Sequence, residues 1–375
     1  MVDRLIQFRF AVIPAAMAVA LASLAGGGLW LWSGAVFFLV FAVLADTGQG
    51  AYRAPTAAPC LPFLEGVVQS GPPLTALLAV ALILVSAAPG TSGEAVALRL
   101  GLPTLGAEGW FAIGGFAVTS GILAGAGAVT FAHELIHRRS RRDWLAGQFV
   151  LARCLHPGVA LEHLHGHHPH VGTPRDRSTA PRGMGFWRFL VVSAFFEWRN
   201  AALHEAARLR RAGQPVFSRA NRYVEAVAIA CVMPAAAFLL GGGTALLAFL
   251  VSAFFGVLVI ELSNYVLHYG LVREAGKPVR PRHSWNAPLF FSTGAMLNGQ
   301  HHSHHHASAA TPFWALTMIE GAPAYPWCTG MMSVIALVPP LWFRVVRPHL
   351  DHWDRALASP GEIALLRGGT TPPGA

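Results

Sequence analysis

AVAIACVMPAAAFLLGGGTALLAFLVSAFFGVLVI, residues 226–260, carries no Asp, Glu, Lys or Arg between Glu225 and Glu261. A membrane-spanning helix needs roughly 20 apolar residues, so this stretch is long enough to cross a bilayer twice. Gly241–Gly243 supply the place to turn. The reading is two helices, near Ala226–Leu240 and Thr244–Leu267. Three more stretches lack charge: Arg9 to Asp46, Glu65 to Glu94 and Glu108 to Glu134. Gly26, Gly27 and Gly28 break the first into helices near Phe10–Ala25 and Leu29–Ala45. The others give helices near Pro72–Ala88 and Trp110–Phe131. The expected fold is an all-α integral membrane protein with about six transmembrane helices. Composition agrees: 54% of the chain is hydrophobic and 12% charged, against about 25% charge in a soluble domain.

Lys and Arg favour the cytoplasmic side of a membrane. With six spans and an inside N-terminus, the outer loops hold one basic residue, Arg99, while 15 of the 27 Lys and Arg lie between Ala132 and Arg222. The expected location is the cell (inner) membrane, with the N-terminus and the polar segments cytoplasmic. The net charge of +9 then reads as a cytoplasmic patch suited to anionic membrane lipid or an acidic soluble partner, not to nucleic acid. No small-residue cleavage site followed by a polar mature region supports a signal peptide. The four Cys form no Cys-x-x-Cys pair, so neither a disulfide framework nor an iron–sulfur site is supported.

The chain reads as one membrane domain over residues 1–354, with a cytoplasmic cap built from 132–222 and 273–354. Pro326–Val346 is apolar but carries Pro326, Pro339 and Pro340, and reads as an interfacial or docked helix rather than a seventh span. Residues 355–375 read as a frayed tail.

All 18 His lie after residue 132; histidines scattered through a core would not segregate so. His133 and His137 stand i, i+4 in His-Glu-Leu-Ile-His, which sets both imidazoles on one helical face. Glu-His-Leu-His-Gly-His-His, Glu162 to His168, repeats that spacing at His163 and His167 and adds His168. His268 ends the last expected span. The run His301 to His306 is interrupted only by Ser303. It fits His-x-x-His-His twice, as His301, His304 and His305 or as His302, His305 and His306, and spacing alone does not choose. One zinc takes about four ligands. The clusters offer more than twice that, so two metals are inferred. An intramembrane zinc protease using His133, His137 and Glu134 leaves the other clusters unexplained. A metal transporter would set its ionisable ligands near the bilayer midplane, not at one edge.

These residues resemble the membrane-bound alkane monooxygenase family, which includes xylene-type monooxygenases and belongs to the wider membrane fatty-acid desaturase and hydroxylase superfamily. Its first box, His-Glu-x-x-His and a basic residue, matches His133–Arg138. Its Glu-His-x-x-Gly-His-His matches Glu162–His168, and the downstream Thr-Pro-x-Asp matches Thr173, Pro174 and Asp176. Asn-Tyr-x-x-His-Tyr-Gly-Leu matches Asn264–Leu271, His-Ser-Trp-Asn matches His283–Asn286, and the third box matches His302–Ala307. Pro340–Arg344 also looks like the family. The resemblance covers roughly Phe131 to Trp353. The chain departs from the pattern at Ile136, Leu267, His301 and His304, which bears on the substrate more than on the chemistry.

The resemblance implies nine ligands, His133, His137, His163, His167, His168, His268, His302, His305 and His306, around two non-haem irons, with O2 as co-substrate. In the third box it favours His302, His305 and His306, because only that register gives Ser303 and Ala307 their family places. Glu134, Glu162 and Asp176 are the candidate acceptors for the imidazole N–H groups. The implied reaction hydroxylates an unactivated C–H bond of an alkane or alkyl group that arrives from the lipid. Oxidation of a lipid or fatty acyl chain, by desaturation or hydroxylation, is the alternative. A separate rubredoxin or ferredoxin, with its NAD(P)H-dependent reductase, would supply electrons at the Arg-rich face. Glu261, a carboxylate in an apolar span seven residues before His268, is expected to line the approach to the site or to orient a neighbour.

Overall fold

The computed structural model describes residues 6–44, 46 and 61–368. Among them the chain is helical, with one isolated bridge, Asn286 to Ala324, and no strand. Among the described residues four helices are long and apolar enough to cross a membrane: Gln7–Ala25, Leu61–Val85, Leu105–Ile136 and Arg222–His268, with a shorter apolar helix over Gly28–Leu44. This is the helix content of a membrane protein. The longest helix is interrupted where the glycines stand, Gly242 leaving helical geometry at φ 72° and ψ −163°. Gly27 turns the first apolar stretch at φ 57°, and the N–H of Gly28 donates to Glu108 Oε2 at 2.6 Å.

Three expectations need correcting. The third apolar helix starts at Leu61 rather than near Pro72, and runs through Pro72 and Pro73. Both prolines lack an amide hydrogen, yet the buried side of the helix is continuous through Leu64, Val67, Val68, Gly71 and Thr75. Packing of that face outweighs the lost hydrogen bonds. The tail is ordered further than expected. A helix over Pro339–Ala356 is followed by another over Pro360–Arg367. Ser359 and Glu362 form a capping box at the start of the last helix, with Pro360 at its first position. Residues 369–375 lie outside the described chain. The expected docked helix over Pro326–Val346 divides into Thr329–Ala336 and Pro339–Ala356. Pro339 and Pro340 open the second helix, where missing amide hydrogens cost nothing.

Contacts group the chain into two compact units. The first comprises Met1–Phe41, Ala57–Ala160 and Gln214–Ile260. Its helices approach through glycine. A Cβ at Gly121 would stand 2.3 Å from the carbonyl oxygen of Ser252, and one at Gly125 would stand 2.6 Å from that of Gly256. Leu105–Ile136 therefore runs backbone against backbone with the Ser252–Gly256 turn, the small-residue contact favoured where lipid leaves no hydrophobic drive between helices.

The second unit comprises Ala42–Thr56, Leu161–Gly213 and Glu261–Ala375. Its core is aromatic. Trp342 packs on Tyr265 and Tyr269, with ring centroids 5.2 and 5.3 Å away, and Trp285 stacks on Tyr325 at 4.6 Å. Trp342, Val346, Leu350 and Trp353 form the buried stripe of Pro339–Ala356, at the spacing of an amphipathic helix.

Candidate metal centre

Two of the three histidine boxes sit next to a widened helical turn. Ala128–Ala132 is a π turn immediately before His133, and His163–His167 is itself a π turn. Such turns insert a residue into a helix and recur at functional sites. In the first unit the rings of His133 and His137 lie 4.9 Å apart, centroid to centroid. The remaining candidate ligands belong to the second unit.

There the nitrogens converge. His167 Nε2 lies 3.1 Å from His268 Nε2, His268 Nε2 lies 2.9 Å from His302 Nε2, and His302 Nε2 lies 3.1 Å from His306 Nε2. All four residues are buried, and their ligand atoms lie within 4.8 Å of one another. Beside them, His168 Nε2 lies 3.0 Å from His163 Nε2 and 3.1 Å from His305 Nε2.

The tautomers decide what this convergence means. His167 Nδ1 stands 2.9 Å from Asp176 Oδ2, and His302 Nδ1 stands 3.2 Å from the carbonyl oxygen of Gly299. A carboxylate and a carbonyl can only accept, so each Nδ1 carries the proton and each Nε2 presents a bare lone pair. At this spacing each pair of nitrogens can share a proton or face one cation, and the neutral rings leave their lone pairs available to a metal. Burial pushes His302 down to about 3 and His137 down to about 4, so both are neutral and able to bind a metal at pH 7. Burial also opposes charge on His167, but Asp176 outweighs it and raises that residue's pKa. An all-imidazole donor set of this kind suits iron, copper or zinc.

The three carboxylates singled out in the sequence have different surroundings. Asp176 meets His167. It is itself fixed by the N–H of Ser178, which donates to Oδ1 at 3.0 Å, and by the hydroxyl of Thr179. Glu162 pairs with His204 Nε2 at 3.1 Å and accepts from Asn200 Nδ2 at 3.3 Å. Its carboxylate lies against Gly166, where a Cβ would come within 2.3 Å of Oε1. That accounts for the glycine inside the second box. Glu134 pairs with Arg138 at 3.3 Å, and Arg138 also reaches Glu65 at 2.8 Å. Glu261 is buried within 4.8 Å of the Glu197 carboxylate. Glu197 in turn accepts from Ser178 Oγ at 2.8 Å and Asn264 Nδ2 at 3.2 Å.

His301 and His304 belong to neither group of converging nitrogens. The amide of Thr317 donates to His304 Nδ1 at 3.1 Å. That contact puts the His304 proton on Nε2 and turns the ring to a different task.

Sequence reading missed Glu362. It is buried, accepts from Arg282 Nε and Nη2 at 2.9 and 3.0 Å, and from His283 Nε2 at 2.8 Å. The next residues strap the site. The amide of Trp285 donates to the Leu267 carbonyl at 2.8 Å, and its indole to the Tyr269 carbonyl at 2.9 Å. The Ser303 hydroxyl donates to the Ser284 carbonyl at 3.0 Å, and the Ser303 amide to Asn286 Oδ1 at 3.1 Å. The last helix thus anchors a segment that grips both the His268 turn and the third box. The Ser-Pro-Gly-Glu signature at Ser359–Glu362 is the signal that could have found it. Glu362→Ala is expected to cost about 2–3 kcal/mol, since it leaves a buried imidazole N–H and a guanidinium without their acceptor. Thermal melting of the detergent-purified variant checks this; an unchanged melting point would mean that the anchor contributes nothing.

The fatty acid desaturase family model matches residues 108–353. Alkane 1-monooxygenase 1 of Pseudomonas aeruginosa is 36% identical over 245 residues, 64% of this chain and 64% of that protein. Alkane 1-monooxygenase 2 of Alcanivorax borkumensis is 33% identical over 257 residues, 67% of this chain and 65% of that protein. The chain therefore matches just under two thirds of the length of these relatives. The hydroxylase component of the xylene/toluene monooxygenase of Pseudomonas putida is 28% identical over 360 residues, 95% of this chain and 92% of that protein.

Proposed function

The chain belongs to the fatty acid desaturase family, and on that footing we propose that it is a membrane-bound, non-haem di-iron monooxygenase that hydroxylates an unactivated C–H bond of an alkane or alkyl group. The observation that carries this reading is the set of four buried imidazoles, His167, His268, His302 and His306, whose nitrogens converge. The names of the relatives supply the reaction class. The reaction is R–H + O2 + two electrons + two protons giving R–OH + H2O. Iron, when bound, supplies O2 activation; the chain's residues supply everything else.

We assign His167, His268, His302 and His306 to one iron; His133, His137, His163, His168 and His305 complete the nine ligands that the family motifs imply for two irons. Asp176 holds the His167 ring in the tautomer that offers Nε2. The apolar helices deliver a lipid-dissolved substrate and keep water from it. Electrons come from a separate rubredoxin- or ferredoxin-type protein at the Arg-rich face, which is cytoplasmic in a six-span topology within the inner membrane. Residues 1–354 act together as the catalytic domain.

The test combines metal counting with product analysis on alkanes, alkyl-aromatics and fatty acyl chains under 18O2. Two irons per chain and an alcohol carrying one 18O atom are expected. Alkene products would move the chain to desaturation, and one zinc per chain with no oxygen uptake would overturn the oxygenase reading.

A further inference from the structure

Among the described residues Arg153 is a cation without a counter-ion, set between apolar helices. It follows the helix Arg141–Ala152 and is fully buried, at 0% exposure. Its Nη2 donates to Ser120 Oγ at 2.8 Å and to Ser252 Oγ at 2.7 Å. These hydroxyls come from Leu105–Ile136 and Arg222–His268, two of the helices long enough to span a membrane. The guanidinium carbon lies 4.8 Å from the Phe249 ring centroid. Nε and Nη1 are buried and have no hydrogen-bond partner, and no carboxylate pairs with Arg153 among the described residues.

A guanidinium does not shed its proton to escape such a site. Two neutral hydroxyls and a ring face do not neutralise it, and an uncompensated buried charge is strongly destabilising. An ionisable side chain buried against two membrane-length helices is a functional-site candidate in the same way as one within a span. Hydroxylation of a plain hydrocarbon gives Arg153 nothing to do. An anion that enters with an apolar body would supply both the missing charge and the missing acceptors.

Ser120 stands thirteen residues before His133 on the helix Leu105–Ile136, an axial rise of about 20 Å. An extended alkyl chain, with carbon–carbon bonds near 1.52 Å, advances roughly 1.25 Å per carbon and covers that rise in about 16 carbons.

We propose that Arg153 receives the carboxylate of a long-chain fatty acid whose tail runs toward His133, so that the carbon end remote from the carboxylate is the one oxidised. The inference rests on the hydroxylase reading above and names its substrate class. The carboxylate takes no part in the reaction. The step is CH3–(CH2)n–COO⁻ + O2 + two electrons + two protons giving HO–CH2–(CH2)n–COO⁻ + H2O, with electrons from the same redox-protein donor.

The iron-loaded protein is titrated in detergent with hexadecanoate and with hexadecane, for the native chain and for Arg153→Met and Arg153→Lys. The ratio of hexadecanoate to hexadecane affinity should fall about 10- to 100-fold in Arg153→Met, the size expected for charge-assisted hydrogen bonds. Arg153→Lys should recover part of it. Hexadecyl phosphate, titrated alongside, separates a carboxylate site from a phosphate one; preference for the phosphate would overturn the fatty-acid assignment.

The native chain gives a second reading that needs no variant. Across carboxylates of 8 to 20 carbons, binding should peak near about 16 and hydroxyl should appear at the remote end. Absence of a length optimum, with hydroxyl scattered along the chain, overturns the proposal, as does an affinity ratio indifferent to Arg153. Hexadecane oxidised by the native chain in the same experiment keeps the hydroxylase reading intact in either event, whereas no oxidation of any chain sinks that reading instead.

Discussion

His302→Ala and His306→Ala are each expected to yield protein that has lost iron and hydroxylase activity, while His301→Ala and His304→Ala keep both. The four residues share one short run, so the contrast tests position rather than chemistry. His302 Nε2 lies 2.9 Å from His268 Nε2 and 3.1 Å from His306 Nε2. Removing either ring takes a donor out of the four-nitrogen group. The fall should exceed the roughly 10- to 100-fold typical of losing a ligand's hydrogen-bond partner. His304 instead accepts from Thr317, so its loss should at most tune the site. Iron counted on the four purified variants in parallel, with activity on one alkane, gives the answer. An iron-free His304→Ala beside a loaded His302→Ala would reverse the register.

Asp176→Ala should weaken iron binding about 10- to 100-fold, because it frees the His167 ring and removes the acceptor that keeps its proton on Nδ1. Asp176→Asn should fall between the native chain and the Ala variant. Its carbonyl can still accept from Nδ1, but the negative charge that favours protons on His167 is gone. The loop that carries Asp176 also has bonds that do not use its carboxylate. The amide of Asp176 donates to the Thr173 carbonyl at 3.0 Å, and Arg273 donates to the carbonyls of Val171 and Pro169 at 2.8 and 2.6 Å. Those backbone contacts survive the substitution, whereas the Ser178 amide and the Thr179 hydroxyl lose their acceptor, so Asp176→Asn is the variant that separates loss of charge from loss of loop contacts. Iron retention during dialysis against a graded chelator series measures the effect, and a dissociation profile identical to the native one would remove Asp176 from the assignment.

What the sequence discloses is uneven for physical reasons. Charge-free runs mark apolar helices because a charge there is costly, and glycine marks the interruption at Gly242 because φ 72° is open to it. The spacing of the boxes shows which imidazoles share a face, since i, i+4 is a property of the helix itself. It does not tell Glu134, engaged with Arg138, from Asp176, engaged with His167, because those partners are fixed by tertiary packing. The rule that proline ends a helix fails at Pro72 and Pro73, where the buried face on either side prevails. The last helix was legible in its capping box, but its reason for docking was not. Glu362 finds Arg282 and His283 some 80 residues earlier in the chain, and local pattern carries no trace of such a pairing. Arg153 looks like any other basic residue of a basic segment until its burial is seen.

The two π turns, Ala128–Ala132 and His163–His167, make the boxes sensitive to length as well as to composition. A helix advances about 100° per residue, and an inserted residue sets the phase of everything after it. Were one residue deleted from the first turn, the helix would close into ordinary α geometry and His133 and His137 would swing by about that angle. No histidine would have changed. A descendant of this chain could thus lose its metal through a single missing alanine while every box still read intact. Comparisons that score only the motif letters would go on grouping it with working enzymes.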